Sequence, residues 1–140
     1  DSFSEMLARM NQYAAQILEP KRIDFKIDVA DVKENIQLDS EQRRNIYLIF
    51  KEALNNLAKY SECTKAQINI NSTSKNLSMT ISDNGKGFET SPPAPFQRRG
   101  EMVGNGLKNM RRRAENIQGN LKIISANGKG TAIELQIPVT

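Results

Sequence analysis

The sequence predicts an α+β fold, a two-layer α/β sandwich whose mixed sheet carries helices packed on one face. Segments with helical periodicity and segments with alternating apolar residues both occur, but they do not follow one another as regular strand–helix–strand units. The chain has 140 residues, of which 38% are apolar and 26% are charged. Such a length and composition are typical of one globular domain with a sizeable core.

The first half of the chain is predicted to form a helix, a strand and a second helix. Apolar residues recur at helical spacing over 3–18, and Pro20 ends that helix. Residues 22–29 alternate strictly, which indicates a strand. Asp39 followed by Gln42 is typical of a capping box, so a helix is predicted to start there and to run to about residue 60. The apolar stripe of this helix consists of Ile46, Phe50, Ala53, Leu54 and Leu57.

The second half is predicted to form two strands, a loop, a helix and a hairpin. The strands are residues 66–71 and 77–83, where apolar residues alternate again. Residues 88–103 hold three prolines and little pattern, which indicates a mobile loop. A helix over 105–118 is predicted to stop at Gly119. The final hairpin has strands 121–126 and 131–139, with a turn at Asn127-Gly128-Lys129-Gly130.

The composition excludes several classes of protein and site. The chain contains no apolar run of about 18 residues, so none of it is predicted to span a membrane. The single cysteine, Cys63, excludes an internal disulfide and fits a reducing compartment. Histidine is absent, which excludes histidine metal ligands, histidine general bases and a phosphohistidine within this chain.

The net charge of +4 leaves three kinds of partner open. Basic residues cluster at Arg98-Arg99 and at 111–113, next to the glycine-rich segments. Nucleic acid is one explanation, and a polyphosphate ligand or an acidic partner explains that placement at least as well.

Asp83 places a carboxylate on the apolar side of a strand. Three apolar residues share one face of the strand 77–83, and Asp83 continues their period of two. A buried carboxylate needs hydrogen-bond donors, and the amino group of an adenine is one such donor. A simple turn at Asp83-Asn84-Gly85 is the alternative, but Gly87 and a second glycine cluster downstream favour a ligand site.

The helix over 39–60 carries a polar face formed by Glu52, Asn56 and Lys59, at steps of four and three. An ordinary solvated face, with Lys59 near Glu62, is one explanation. In the other, the amide oxygen of Asn56 is a magnesium ligand, Glu52 orients a magnesium-bound water and Lys59 faces phosphate. Magnesium takes about six oxygen ligands and keeps several waters, so one protein ligand together with phosphates suffices.

Two later glycine-containing segments are candidates for phosphate and base contacts. Residues 104–107, with Gly104 and Gly106, precede an amphipathic helix, and backbone amides at a helix N-terminus suit a triphosphate. The alternative there is a flexible loop-to-helix joint. Residues 128–131 form either a hairpin turn alone or a turn that brings the Thr131 hydroxyl near the adenine edge, through a water.

The order of these segments resembles the catalytic, ATP-binding domain of bacterial sensor histidine kinases. Their superfamily includes DNA gyrase, heat-shock chaperones and mismatch-repair ATPases. The matching residues, in chain order, are Glu52, Asn56, Lys59, Asp83, Gly85, Gly87, Gly104, Gly106, Leu107, Gly130 and Thr131. The resemblance covers roughly residues 20–140, and its motifs are specific in combination. One subgroup, paired with helix-turn-helix response regulators, is similar to this chain in two places: the segment from Glu52 to Lys59, and Leu107 with Met110 and Arg113. The chain departs from that subgroup at Tyr60, where the subgroup commonly has His.

The resemblance implies a Bergerat-type fold that binds ATP and Mg²⁺ without a Walker A loop. It gives adenine recognition to Asp83, with an adenine-side water on Thr131. It makes Asn56 the magnesium ligand. The implied catalytic residues are Glu52 and Asn56. The implied ATP-binding set is Asn56, Lys59, Asp83, Gly85, Gly87, Gly104, Gly106, Leu107 and Thr131.

The implied activity is that of a protein-histidine kinase, which passes the γ-phosphate of Mg–ATP to a histidine on a separate dimerisation domain. Residues 1–19 are expected to be the tail of the preceding dimerisation helix, and 20–140 the ATP-binding catalytic domain. The expected partners are ATP, the phosphoacceptor domain of the parent chain and a cognate response regulator, without direct nucleic-acid binding. The parent is expected to be a homodimer with this domain in the cytoplasm, and a membrane anchor elsewhere in the parent is compatible with that.

Two other functions remain open from the sequence. One is a non-kinase ATPase of the same superfamily, in which Glu52 is the general base for water. The other is an anti-sigma-like regulatory module that acts through protein contact.

Overall fold

The computed structural model describes residues 2–32, 36–88 and 105–139. The helices in these residues are α1 (Phe3–Leu18), α2 (Ser40–Asn56) and α3 (Asn105–Asn116). The strands are β1 (Asp24–Val29), β2 (Lys65–Ser72), β3 (Asn76–Asp83), β4 (Asn120–Ser125) and β5 (Thr131–Pro138). A 3₁₀ turn, Glu19–Lys21, follows α1, and a π-helical turn, Leu57–Ser61, extends α2. Of the predicted loop 88–103 only Phe88 lies within the described residues.

The five strands form one sheet in the order β1-β2-β3-β5-β4. β1 and β2 are parallel, and the other three neighbouring pairs are antiparallel. Asp83 on β3 pairs with Thr131 on β5, and Thr131 pairs with Ser125 on β4, so these residues form one row across the sheet. The mixed sheet with helices on one face confirms the predicted α+β fold class.

The core lies between the sheet and the helices. Alternate residues of β2, β3 and β5 are buried, as the apolar alternation predicted. The largest fully buried side chains are Phe50, Met10, Leu18, Ile46, Ile49, Leu54, Ile68, Ile70, Met110 and Ile137. None of the helices in the described residues is long and apolar enough to cross a membrane.

Helix α1 contributes to the same core as the rest of the domain. Met6, Met10, Ala14 and Leu18, one stripe of the helix, are all buried in it. Against α2, the hydroxyl of Tyr13 donates to Oδ1 of Asn55 at 2.8 Å. These contacts give α1 a defined place on α2.

The capping box predicted at the start of α2 is confirmed. The Asp39 side chain accepts from the Gln42 N–H at 2.7 Å, and the Gln42 side chain accepts from the Asp39 N–H at 2.9 Å. Each end of the box therefore satisfies a backbone donor that the first turn of a helix leaves free.

Two helix ends differ from the sequence prediction. Regular α2 ends at Asn56 and continues as a wider π-helical turn, in which the Ser61 hydroxyl donates to the Leu57 carbonyl at 2.6 Å. Helix α3 ends at Asn116, two residues before the predicted end, and the left-handed residue after it is Gln118 (φ 53°). Gly119 follows, and a Cβ on it would lie 2.8 Å from Cγ2 of Ile137.

We expect Met10→Ala to destabilise the fold by about 2–5 kcal/mol, because the side chain is fully buried and its loss leaves a cavity. Urea unfolding of the chain measures the change. Gln12→Ala, at an exposed position on the same helix, is the control and should change stability little. Equal unfolding midpoints for the two variants would mean that α1 does not contribute to the core.

Candidate functional site

A cavity of about 640 Å³ opens where the end of α2, the end of β3, the start of β5 and the first turn of α3 meet. Its apolar lining includes Ala53, Leu57, Ile81 and Ile133. Its polar lining includes Asp83 and Thr131, which are paired across β3 and β5. Ligand sites for small molecules have this character: a mostly apolar cleft of roughly 300–1,000 Å³ with a few placed polar groups.

Asp83 is a titratable residue in the cavity wall whose pKa is shifted by its surroundings. Burial raises the pKa of its carboxyl above the ordinary value of 3.8, and hydrogen bonds from the N–H groups of Gly85 and Thr131 pull the pKa partly back down. The bond from Gly85 reaches Oδ1 at 2.8 Å. A carboxylate has about four lone-pair positions, so Asp83 retains acceptor capacity toward the cavity.

Gly85 holds the loop after β3 against the π-helical turn. A Cβ at Gly85 would lie 2.3 Å from the carbonyl oxygen of Ser61, which no side chain can occupy. The same carbonyl accepts from the Lys86 N–H at 2.8 Å. Because Gly85 has no side chain, the loop after Asp83 can pack against the turn that follows α2.

Asn56 carries a buried amide nitrogen, Nδ2, that has no hydrogen-bond partner among the described residues. The first turn of α3 lies directly against it, since a Cβ on Gly106 would be 2.8 Å from Nδ2 of Asn56 and 3.1 Å from Oε2 of Glu52. An unsatisfied buried polar group is unfavourable in a folded protein, so this amide nitrogen is a candidate for contact with a ligand. Gly106 thus packs against the side chains of Asn56 and Glu52 at the edge of the cavity.

The structure brings most of the predicted site residues together. Those that line the cavity are Asn56, Lys59, Asp83, Gly87, Leu107 and Thr131. Glu52, Gly85 and Gly106 are next to these residues but are not part of the lining. Gly104 lies outside the described residues. Within the lining, Gly87 has a left-handed backbone (φ 65°), which favours glycine.

A family model described as histidine kinase-, DNA gyrase B-, and HSP90-like ATPase matches residues 41–140. The chain belongs to this family. The match confirms the recognised superfamily and the predicted ATP-binding domain.

Individual proteins are similar to this chain in sequence or in fold. Sensor histidine kinase LiaS of Bacillus subtilis (strain 168) is 29% identical over 117 residues, which are 84% of this chain and 29% of LiaS. The chain therefore spans less than a third of that relative. Among solved structures, full-length ShkA in complex with AMPPNP has a TM-score of 0.80 at 15% identity, over 100% of this chain and 30% of ShkA. The histidine kinase AdeS of Acinetobacter baumannii has a TM-score of 0.74 at 18% identity, over 99% of this chain and 65% of the AdeS chain.

The sequence placed Lys59 near Glu62, but the ion pair that the structure forms at Glu62 is a different one. Glu62, a possible partner of Lys59, pairs instead with Lys86 at 3.2 Å, and both members are well exposed. Lys59 is exposed at the cavity wall. In α3, Arg111 donates to the Leu121 carbonyl at 3.3 Å and does not line the cavity.

Sequence reasoning missed Ser61 and Ser125. The backbone of Ser61 packs against Gly85, and the Ser125 hydroxyl contacts both Phe88 and Thr131. No sequence pattern marks their contacts with Gly85 and Phe88, because those two residues come from a different segment of the chain. Tyr60, noted for its departure from the kinase subgroup, also lines the cavity.

We expect Asp83→Asn to leave the chain at least as stable as the unmodified protein at neutral pH, because burial disfavours the ionised carboxylate. With its pKa raised, folded Asp83 binds a proton more tightly than the unfolded residue does. Its unfavourable contribution is therefore present above the folded-state pKa and is lost as the pH falls toward 3.8. The stability advantage of the variant should shrink on acidification.

Urea unfolding at neutral pH and near pH 3.8 measures this difference. Asp24→Asn, at an exposed position on β1, is the control and should have little effect at either pH. An unmodified chain that is the more stable at neutral pH, with a gap that closes on acidification, would show that the N–H donors outweigh burial.

Proposed function

We propose that this chain is the catalytic domain of a sensor histidine kinase, which binds Mg–ATP and presents the γ-phosphate to a histidine on another domain of its parent protein. The observation that carries the proposal is the mostly apolar cavity whose wall contains the partly buried Asp83 carboxylate and Asn56, with its unpartnered amide nitrogen. The similarity to sensor histidine kinase LiaS supports it.

Base recognition is assigned to Asp83. The apolar lining suits the faces of a purine ring, and the remaining lone pairs of the carboxylate suit the amino group of adenine. Guanine carries a carbonyl at that ring position, which would face the carboxylate lone pairs. ATP and ADP are therefore the expected ligands, and GTP is not.

Mg²⁺ is assigned to Asn56. Among the described residues no group of three or more acidic, histidine or cysteine side chains could hold a metal ion. A site made of one amide oxygen, phosphate oxygens and waters fits the preference of Mg²⁺ for oxygen ligands and retained waters. The atom of Asn56 that lacks a partner is the amide nitrogen, a hydrogen-bond donor, which a phosphate oxygen of the nucleotide would satisfy, and the amide oxygen would then be the magnesium ligand. The ion would neutralise phosphate charge.

The phosphates are assigned to the side of the cavity near α3 and Lys59. Leu107 in the first turn of α3 lines the cavity, and the N–H groups at a helix N-terminus attract anions. Gly106 lets that turn approach Asn56, and Glu52 lies against the same turn as a positioning residue.

Phosphoryl transfer needs little covalent chemistry from this domain, because positioning and charge neutralisation dominate it. The acceptor must lie on another domain, since the chain has no histidine. We place residues 1–19 as the connection from that domain and 20–140 as the catalytic domain, in a homodimeric parent that acts in the cytoplasm on a response regulator.

We expect Asn56→Ala to weaken ADP binding about tenfold or more in Mg²⁺ and much less in EDTA, the magnitude of a lost hydrogen bond to a charged group. Calorimetric titration in both buffers measures the affinities. Asn71→Ala, at an exposed position on β2, is the control and should bind as the unmodified chain does. Equal losses in Mg²⁺ and EDTA would identify Asn56 as structural.

We expect the chain alone, incubated with γ-labelled ATP, to take up no acid-labile phosphate, and to label the histidine-containing dimerisation domain of its parent when the two are mixed. Labelling should require Mg²⁺ and fall sharply in Asn56→Ala and Asp83→Asn. Fast ATP turnover by the chain alone, abolished in Glu52→Gln, would support the non-kinase ATPase instead. Nucleotide binding without labelling or turnover would support the regulatory module.

A further inference from the structure

The π-helical turn Leu57–Ser61 and the residue on either side of it form one wall of the cavity. Every residue from 56 to 62 except Ala58 lines the cavity. An α-helix turns one side toward a neighbouring cavity, and the residues on that side are three or four positions apart. Here the lining residues are nearly consecutive, so the end of the helix as a whole bounds the cavity, and the shape of this wall depends on how the turn is closed.

The Ser61 side chain closes this turn. Ser61 is 8% exposed, and its hydroxyl donates to the Leu57 carbonyl at 2.6 Å. A π-helix joins each N–H to the carbonyl five residues back, so this contact across four residues comes from the side chain and not from the π-type ladder. A serine that bonds back in this way often bends a helix. The hydroxyl therefore links the last residue of the turn to the first.

Ser61 also fixes the exit from the turn. Its hydroxyl accepts from the Cys63 N–H at 3.1 Å, and Glu62, between the two, has a left-handed backbone (φ 56°). The Ser61 carbonyl accepts from the Lys86 N–H at 2.8 Å. Ser61 is thus bonded to the start of the turn, to the segment that leads into β2 and to the loop after β3, so it has a defined place between them.

Lys59 is the charged side chain within the turn, and it lines the cavity. Among the residues that the structure describes, it forms no hydrogen bond or ion pair that would hold its side chain. The direction of the Lys59 side chain therefore follows from the backbone of the turn. A π-helical turn is wider than an α-helical one, so it rotates each residue after Asn56 less about the helix axis.

We propose that Ser61 is a positioning residue for phosphate binding: its hydroxyl closes the π-helical turn and thereby directs Lys59 toward the phosphates of the bound nucleotide. Without the hydroxyl, the Leu57 carbonyl can pair with the N–H of residue 61 as in an α-helix, which rotates Lys59 away. The proposal rests on the proposed function in placing the phosphates near Lys59. Ser61 acts here through Lys59 and not through a contact of its own with phosphate.

The test compares the affinities of ADP and adenosine, which differ by the phosphates, in competition titrations against a fluorescent ADP analogue. In Ser61→Ala the ratio of ADP affinity to adenosine affinity should fall about fivefold to tenfold, the magnitude of one hydrogen bond. Ser61→Thr should keep the ratio of the unmodified chain, because a threonine hydroxyl makes the same bond to the carbonyl four residues back.

A double-mutant cycle separates this role from a structural one. In a Lys59→Ala chain, which lacks the cation, Ser61→Ala should leave the affinity ratio unchanged. Ser82→Ala is the matched control, because the Ser82 hydroxyl also donates to a backbone carbonyl, that of Gln67 at 3.4 Å, and does not line the cavity. It should leave both affinities unchanged. If urea unfolding shows that Ser61→Ala does not fold, Ser61→Thr and Ser61→Val, which are similar in shape and differ in the hydroxyl, give the same comparison.

Two results would overturn the role of Ser61 alone: equal losses of affinity for ADP and adenosine in Ser61→Ala, or the same change of ratio in the presence and absence of the Lys59 side chain. An unmodified chain that binds neither ligand would overturn the proposed function and this inference together. An unmodified chain that binds ADP more tightly than adenosine, with a ratio that Ser61→Ala does not change, would leave the proposed function in place and remove the role of Ser61.

Discussion

The partial burial of the Asp83 carboxylate at the end of β3 is the constraint on which the rest of the site depends. An ionised carboxyl in a largely apolar wall is unfavourable unless donors surround it. The fold provides two, from Gly85 and Thr131, and burial still raises the pKa of the group. The local structure therefore leaves part of the need for donors to a ligand, and an amino group in a flat apolar ring meets that need.

The position of this carboxylate requires close packing between β3 and α2. The loop after Asp83 can lie against Ser61 only because Gly85 has no side chain, and the Lys86 N–H then donates to the Ser61 carbonyl. Ser61 is placed by the π-helical turn, which begins directly after Asn56. π-helical turns are rare and occur often at functional sites. Here the turn links the Asp83 end of the cavity to the polar face of α2.

The sequence allowed the elements to be predicted because their signals are local. Apolar periodicity located the three helices and five strands within a few residues, and Asp39 with Gln42 marked the start of α2. Asp83 could be found because a carboxylate on the apolar side of a strand conflicts with its neighbours. The π-helical turn gave no such signal, because the apolar stripe of α2 continues through Leu57 in either helix type. The turn depends on Ser61, whose side chain bonds back to Leu57.

The hydrogen-bond row across the sheet could not be predicted, because it depends on strand order. β5 lies between β3 and β4, although β4 precedes it in the chain, and this order puts Thr131 between Asp83 and Ser125. Strands that follow one another in the chain are therefore not all neighbours in the sheet, and the residues beside Asp83 are a consequence of sheet topology as much as of residue type.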